Sequence, residues 1–307
     1  MMKVIWEQMD QHAWDAVHEQ QAAPLQQDWA YGSCMKALGV GVLRSVVDQD
    51  GTPVAYAQWI YRKIAGLATI GLCSRGPMWV QPLTAQEKNQ VYALLRQSLP
   101  VNKPRWALFT PEETDTTQLG LSAWRRVMTG YATVMIDLTQ STDDLRAALD
   151  SKWRNRLAAA ESSELKVQRM GVLTAQYRWL LEMEIAQRTA RGFQGLPIPF
   201  IDAYILARKQ ANQTVLNLRA DVGRDRVAAM MFLIHGQAAT YQVGWSNDQG
   251  RDLNAHNLLL WHAILALKER GVRFFDLGGI NTQRSAGIAR FKIGTGGQVS
   301  ILAGTYL

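Results

Sequence analysis

Apolar and polar residues alternate in two stretches that each read as successive β-strands. Residues 42–71, VLRSVVDQDGTPVAYAQWIYRKIAGLATIG, open on a β-branched alternating run and pass the polar turn Asp48-Gln49-Asp50-Gly51. Two more strands follow, joined around Lys63–Gly66. Residues 215–244, VLNLRADVGRDRVAAMMFLIHGQAATYQVG, repeat the plan with a turn at Gly223-Arg224-Asp225-Arg226 and a joint at His235–Gln237. Superposed without gaps, Val42-Leu43, Val54-Ala55 and Gly71 coincide with Val215-Leu216, Val227-Ala228 and Gly244. After each stretch the pattern becomes helical, over about Thr84 to Ser98 and about Leu253 to Arg270, with Thr84 and Glu87 spaced as a capping box. Each helix leads to a short strand, Arg105–Phe109 or Arg273–Leu277.

The repeated unit is an antiparallel meander, a crossover helix and a further strand. It predicts an α/β chain of two tandem sheet-and-helix domains, each crossover leaving a ligand cleft near the strand ends. The segment MIDLTQSTDD closes a strand and opens a helix with Ser141, Thr142 and Asp143 as cap candidates. Leu145, Leu149, Trp153 and Leu157 then recur every fourth residue as a buried helical stripe. The expected division is 1–140 and 141–297, with 298–307 a final strand returning to the first domain.

Length and composition narrow the class. With 307 residues, 48% of them hydrophobic, the chain can bury a full core, which excludes collagen, long disorder and disulfide scaffolds. The opening MMKVIWEQMDQHAWD lacks the apolar block of a secretion signal, and the two cysteines, Cys34 and Cys73, read as reduced thiols of a cytoplasmic protein. The most apolar stretch, Leu258 to Leu267, is too short to span a bilayer and is broken by His262. A net charge of +7 suits phosphorylated ligands, RNA or peripheral contact with an anionic membrane, and does not choose among them.

No Gly-x-Ser-x-Gly elbow is present, and Cys73 reads as a core thiol. His256 and His262 are six residues apart on one helix and so face different ways, and no spacing of Cys and His suggests a metal. Arg75, Arg154 and Arg191 are candidates for anionic groups, because a guanidinium is planar and permanently charged. Tyr241 and Trp245 lie on the last meander strand, where their rings either line a ligand channel or pack in the core.

The order of elements is similar to the GNAT acyltransferase core, and two in tandem resemble the FemAB family of peptidoglycan-bridge aminoacyltransferases. The segments that carry the resemblance are Cys73-Ser74-Arg75-Gly76-Pro77, Lys152-Trp153-Arg154, Thr189-Ala190-Arg191-Gly192-Phe193, Tyr241-Gln242-Val243-Gly244-Trp245, Asn257–Trp261, Phe275-Asp276-Leu277-Gly278-Gly279, and Gly287–Lys292 with Gly294, Gly296 and Gly297. The resemblance implies two GNAT-like domains sharing a central cleft. It also implies amide formation between an activated aminoacyl or acyl donor and an amine acceptor such as a cell-wall precursor. Aminoacyl-tRNA or acyl-CoA would be a co-substrate, with no resident cofactor. The resemblance places a cleft lysine at Lys292, where its ammonium meets the oxyanion. Arg290 and Phe291 flank it as substrate contacts, and Asp276 accepts a proton or orients the amine. The glycine-rich pyrophosphate loop of GNAT enzymes is replaced by Gly250-Arg251-Asp252-Leu253-Asn254-Ala255, which leans away from coenzyme A. An acyl-CoA-dependent N-acyltransferase acting on a small metabolite or lipid is the rival within the same chemistry, and a non-catalytic binding module is the rival outside it.

Overall fold

The computed structural model describes all residues except 191–196, 209 and 284. It divides into two compact units, Met1–Ala132 with Ser300–Leu307, and Thr133–Val299. In chain order the elements are β1 (Met2–Trp6), α1 (Gln11–Gln20), α2 (Trp29–Ala37), β2 (Gly41–Gln49), β3 (Thr52–Ile64), β4 (Ala68–Ser74), β5 (Met78–Trp79), α3 (Ala85–Ser98), β6 (Arg105–Thr110) and β7 (Arg126–Met128). There follow β8 (Ala132–Asp137), α4 (Thr142–Ala147), α5 (Ser151–Glu161), β9 (Lys166–Met170), α6 (Thr174–Ala190), α7 (Ile198–Leu206), α8 (Ala211–Thr214), β10 (Val215–Val222), β11 (Asp225–His235), β12 (Ala238–Ser246), α9 (Asp248–Asp252), α10 (Ala255–Glu269), β13 (Phe274–Gly279), α11 (Ala286–Ile293), β14 (Gln298–Ile301) and β15 (Thr305–Tyr306). The first unit's sheet runs β1-β2-β3-β4-β6-β15-β7, with β5 paired to β3, and the second unit's runs β14-β8-β13-β12-β11-β10-β9.

The two copies share one frame. Strands β2-β3-β4-β6 and β10-β11-β12-β13 have the same order, antiparallel through the meander and parallel at the crossover. Val42 faces Ile60 just as Val215 faces Leu233, and the bulges at Val47/Asp48 and Ala220/Asp221 fall at superposed positions. The match slips in the second hairpin. Tyr61 faces Gly71, whereas its counterpart Ile234 faces Ala239, so Gly71 and Gly244 are not equivalent. The cause is a tighter turn, Gly236-Gln237, together with a bulge at Met231/Phe232. That extra bulge re-aims β12 relative to β4.

Each crossover helix seals one core. The Thr84–Glu87 capping box starts α3, and its Val91, Tyr92, Leu95 and Leu99 pack with Trp59 and Phe109. Helix α10 buries Leu259, Ile264 and Leu267 with Phe232 and Phe275. The parallel ladders differ in length. β4 and β6 stay paired over six rows, Thr69–Ser74 with Arg105–Thr110. β12 and β13 pair only over Ala238–Thr240 and Phe274–Asp276, then part.

Two expectations need correction. The strand β8, placed by sequence in the first domain, pairs with β13 of the second. Its Val134 and Ile136 are buried in the second core, so the units divide at 132/133 rather than 140/141. The stripe Leu145, Leu149, Trp153 and Leu157 is buried as expected but spans two helices. Asp150 breaks it: its carboxylate caps α5, and its N–H donates to Gly294 O at 2.9 Å.

The closing glycines also serve the fold, since they admit the chain's own atoms rather than a ligand. A Cβ on Gly296, at φ +76°, would lie 2.2 Å from Ala148 O, and one on Gly297 would lie 2.7 Å from Val134. Gly296→Ala is therefore expected to cost about 1–3 kcal/mol. Gly287→Ala, on exposed α11 with nothing within 4 Å, should be neutral or stabilising by up to about 1 kcal/mol. Denaturant melts of the two variants check the contrast, and equal effects would contradict it.

Candidate active site

The second unit gathers a polar cluster where β12 and β13 part. After Asp276 the β13–β8 ladder shifts register, and Gly278 takes φ +74°, a conformation that glycine adopts without strain. Asp276 holds the bulge closed. Its Oδ1 accepts from Gly278 N–H at 2.7 Å and from the Thr133 hydroxyl at 2.5 Å. The bulge leaves the Gly279 carbonyl to accept from Lys292 Nζ at 2.9 Å.

Lys292 sits in the last turn of α11 and is 7% exposed. Burial pulls its ammonium down to about 8, and the charge of Asp276 opposes that fall. The helix is pinned by Phe291, whose ring lies 5.9 Å from Trp153 and 6.2 Å from His256, and whose carbonyl accepts from Trp153 Nε1 at 3.0 Å. Phe291 is thus a packing residue that fixes the direction of its neighbour.

Tyr241 on β12 faces this cluster, its ring centroid 5.6 Å from Lys292 Nζ. A Cβ on Gly244 would fall 1.8 Å from the Tyr241 hydroxyl, so Gly244 makes room for the phenol. Burial, seconded by the charge of Glu184, pushes the phenol well above its usual range. Glu184 was not singled out by sequence. It lies on α6, its own carboxyl is raised by burial, and Arg188 holds it at 3.3 Å and partly offsets the rise. In sequence the pair is an ordinary i,i+4 ion pair, and only the packing of α6 against β12 brings Glu184 to Tyr241.

The other candidates fall elsewhere. Trp245 is buried and meets Trp179 edge-on at 5.8 Å, with Arg226 over Trp179 at 4.8 Å, which is core packing rather than a ligand channel. Arg75 belongs to the first unit, is buried, and closes its fork on Glu112 with two contacts of 2.5 Å. That pairing neutralises the charge expected to meet an anionic substrate. Arg154 and Arg290 are exposed on α5 and α11. Arg191 lies outside the described residues, as does most of its segment. His256 holds Trp245 O at 3.0 Å, and burial lowers its imidazole. Cys73 is fully buried and its thiol is pushed up, which suppresses the reactive thiolate. In place of a glycine-rich loop, the short helix α9 stands before α10, capped by Asn247 on Gly250 N–H. Among the described residues no helix is long and apolar enough to cross a membrane.

Residues 206–307 match the model of the FemAB family. They contain Tyr241, Gly244, His256, Asp276, Gly278, Gly279, Phe291 and Lys292 of this cluster, but not Thr133, Trp153, Glu184 or Arg188. No curated protein sequence matches the chain. Among solved structures, that of FemX is similar over 98% of this chain and 96% of its own, at 16% identity and a TM-score of 0.81. A conserved protein of unknown function from Bacteroides thetaiotaomicron is similar over 99% and 98%, at 11% identity and 0.66. A tandem GNAT protein from the clavulanic acid biosynthesis pathway is similar over 100% and 98%, at 10% identity and 0.59. The match to the FemAB model covers about a third of the chain, and the fold of the whole chain is similar to those of FemX and the tandem GNAT protein.

The buried ammonium carries a stability signature. Lys292 titrates near 8 when folded and near the ordinary 10.5 when unfolded. Below pH 8 both states hold the proton, and the folded state bears the full cost of the buried charge, about 3 kcal/mol. Between the two values the unfolded chain holds more protons, so this contribution to stability rises with pH. Lys292→Met should remove that rise and be the more stable protein at pH 7. Urea melts of both proteins at pH 7 and pH 10 test this, and parallel pH dependences would refute it.

Proposed function

We propose that the chain is an acyltransferase that joins an activated aminoacyl ester to an amine acceptor of the cell-wall-precursor class. The observation that carries this reading is the buried Lys292 ammonium at the broken β12–β13 ladder, within the segment that matches the FemAB model. In the reaction the amine nitrogen bonds to the ester carbonyl carbon, and the carbonyl oxygen becomes an oxyanion. Lys292 donates to that oxygen with the N–H bonds that Gly279 does not use. The amine's proton passes to Glu184, whose carboxyl burial raises and so makes a stronger base than a free one. The C–O bond then breaks, and the leaving alkoxide takes the proton back. Asp276, engaged by Thr133 and Gly278, holds the bulge and steadies the ammonium rather than receiving the proton.

The helical turn α9 in place of a glycine-rich loop supports an aminoacyl ester, such as aminoacyl-tRNA, over coenzyme A. Exposed Arg154 and Arg290 supply contacts for anionic groups of the substrates. Titration calorimetry is expected to show weak coenzyme A binding. Micromolar or tighter binding would shift the assignment to an acyl-CoA-dependent N-acyltransferase.

The roles of Lys292 and Glu184 separate by pH. An oxyanion donor must be protonated, so kcat should fall as pH rises through about 8. Lys292→Met should lower kcat and kcat/KM together by ~10²-fold or more and abolish that alkaline limb. Glu184→Gln should lower kcat and remove the acid limb. A rate that climbs through pH 8, or a folded Lys292→Met protein with normal turnover, would overturn the assignment.

A further inference from the structure

One end of the first unit's sheet carries a concentration of charge that the transfer chemistry does not use. Between residues 51 and 111 the chain has seven basic residues and a single acid, Glu87. Two of the seven, Arg75 and Lys88, are paired with Glu112 and Glu113. Among the described residues no carboxylate pairs with the other five, Arg62, Lys63, Arg96, Lys103 and Arg105.

The fold brings these five to one end of the sheet. Arg62, Ile70 and Trp106 form one row across β3, β4 and β6, and Lys63, Thr69 and Arg105 form the next. The Lys103-Pro104 loop is tied to the same end by Thr69 N–H donating to Pro104 O at 2.9 Å. Arg96, Lys103 and Arg105 line an open groove there, with Gln97, Pro104 and Ala107 completing it. Large apolar side chains stand in water among the cations: Leu67 is 79% exposed, Ile64 47% and Trp106 44%. Directly opposed residues share a sheet face, so Trp106 lies on the face of Arg62 and Ile70, away from Ala107 and Phe109 under α3.

We propose that this end of the first unit docks on an anionic phospholipid surface. Cations without acidic partners suit a negative surface, and each contributes to binding within a Debye length of it. The apolar residues decide the class of partner. Leu67 at a hairpin tip and the neighbouring Ile64 offer aliphatic side chains for acyl chains, where a nucleic acid would call for stacking rings. Trp106 suits the headgroup boundary, since its ring is apolar and its indole N–H is polar. Docking leaves the second unit's polar cluster unused, so it stands whether or not the acyl-transfer reading holds.

Co-sedimentation of the full chain with lipid vesicles tests the proposal without turnover. The protein should pellet with vesicles of phosphatidylethanolamine and phosphatidylglycerol at low salt, release as salt rises, and stay in solution with phosphatidylcholine. Arg62→Gln with Lys103→Gln should weaken partitioning by roughly fivefold per charge. Leu67→Gln with Trp106→Gln should also weaken it while leaving the salt dependence in place. All four side chains are exposed, so unchanged thermal melts will verify folding. Failure to pellet with the anionic vesicles, or wild-type partitioning of both double variants, would overturn the proposal. So would homopolymeric RNA binding that the charge variant abolishes in a protein that ignores vesicles.

Discussion

Everything local to the polar cluster follows from keeping the Lys292 ammonium out of water. A buried charge is costly unless hydrogen bonds and an opposite charge compensate it. Here the compensation comes from the Gly279 carbonyl and the Asp276 carboxylate. Both depend on the β13 bulge, which needs Gly278 at positive φ and the Thr133 hydroxyl on Asp276. The ammonium reaches the carbonyl only because α11 is held at a fixed angle by Phe291 against Trp153. The glycines after α11 let the chain turn tightly beneath the α4–α5 break. A run of sequence that looks like a ligand loop is the mounting of a single side chain.

The two units show what that mounting adds to a shared frame. Strand order, first-hairpin register and even the bulge position are the same in both. In the first unit β6 has neither glycine nor acid, and the parallel ladder zips over six rows. In the second, Asp276 and the glycine pair end the ladder after three. Backbone groups released from a ladder must find other partners. At this place they find the side chains of Asp276 and Lys292. The duplicated frame is shared by both units, and the departure from it is where the candidate groups of the second unit collect.

The frame was legible because it rests on short-range signals. Alternation, turn residues and a capping box each act within a few residues, and they placed the meanders and crossover helices to within two or three positions. The 132/133 division was not legible, because β8 carries no mark of which sheet will pair with it. Lys292 and Asp276 stand out in the sequence through the resemblance of their segments rather than through periodicity. Trp245 and Arg75 misled because an aromatic on a strand and an arginine in a turn look alike whether they bind a ligand or a neighbour. Only the contacts with Trp179 and Glu112 distinguish the two. Glu184 was hidden for the opposite reason: its local setting is a routine helical ion pair, and its meaning comes from a strand more than fifty residues on.

Tyr241 links that carboxylate to the lysine. The burial that lowers the Lys292 ammonium also raises the Glu184 carboxyl, so the two values move toward each other. Acid and base assignments often rest on such environments. The pH range over which the lysine is charged and the carboxylate bare is narrower than for the free side chains. Burial also raises the Tyr241 phenol, which stays protonated throughout that range. In the proposed reaction Tyr241 therefore does not compete with Glu184 for the proton. Its hydroxyl is seated in the space that Gly244 leaves open, and its ring lies against the Lys292 ammonium. The lysine changes state near pH 8, so its protonation carries solvent pH into the cluster.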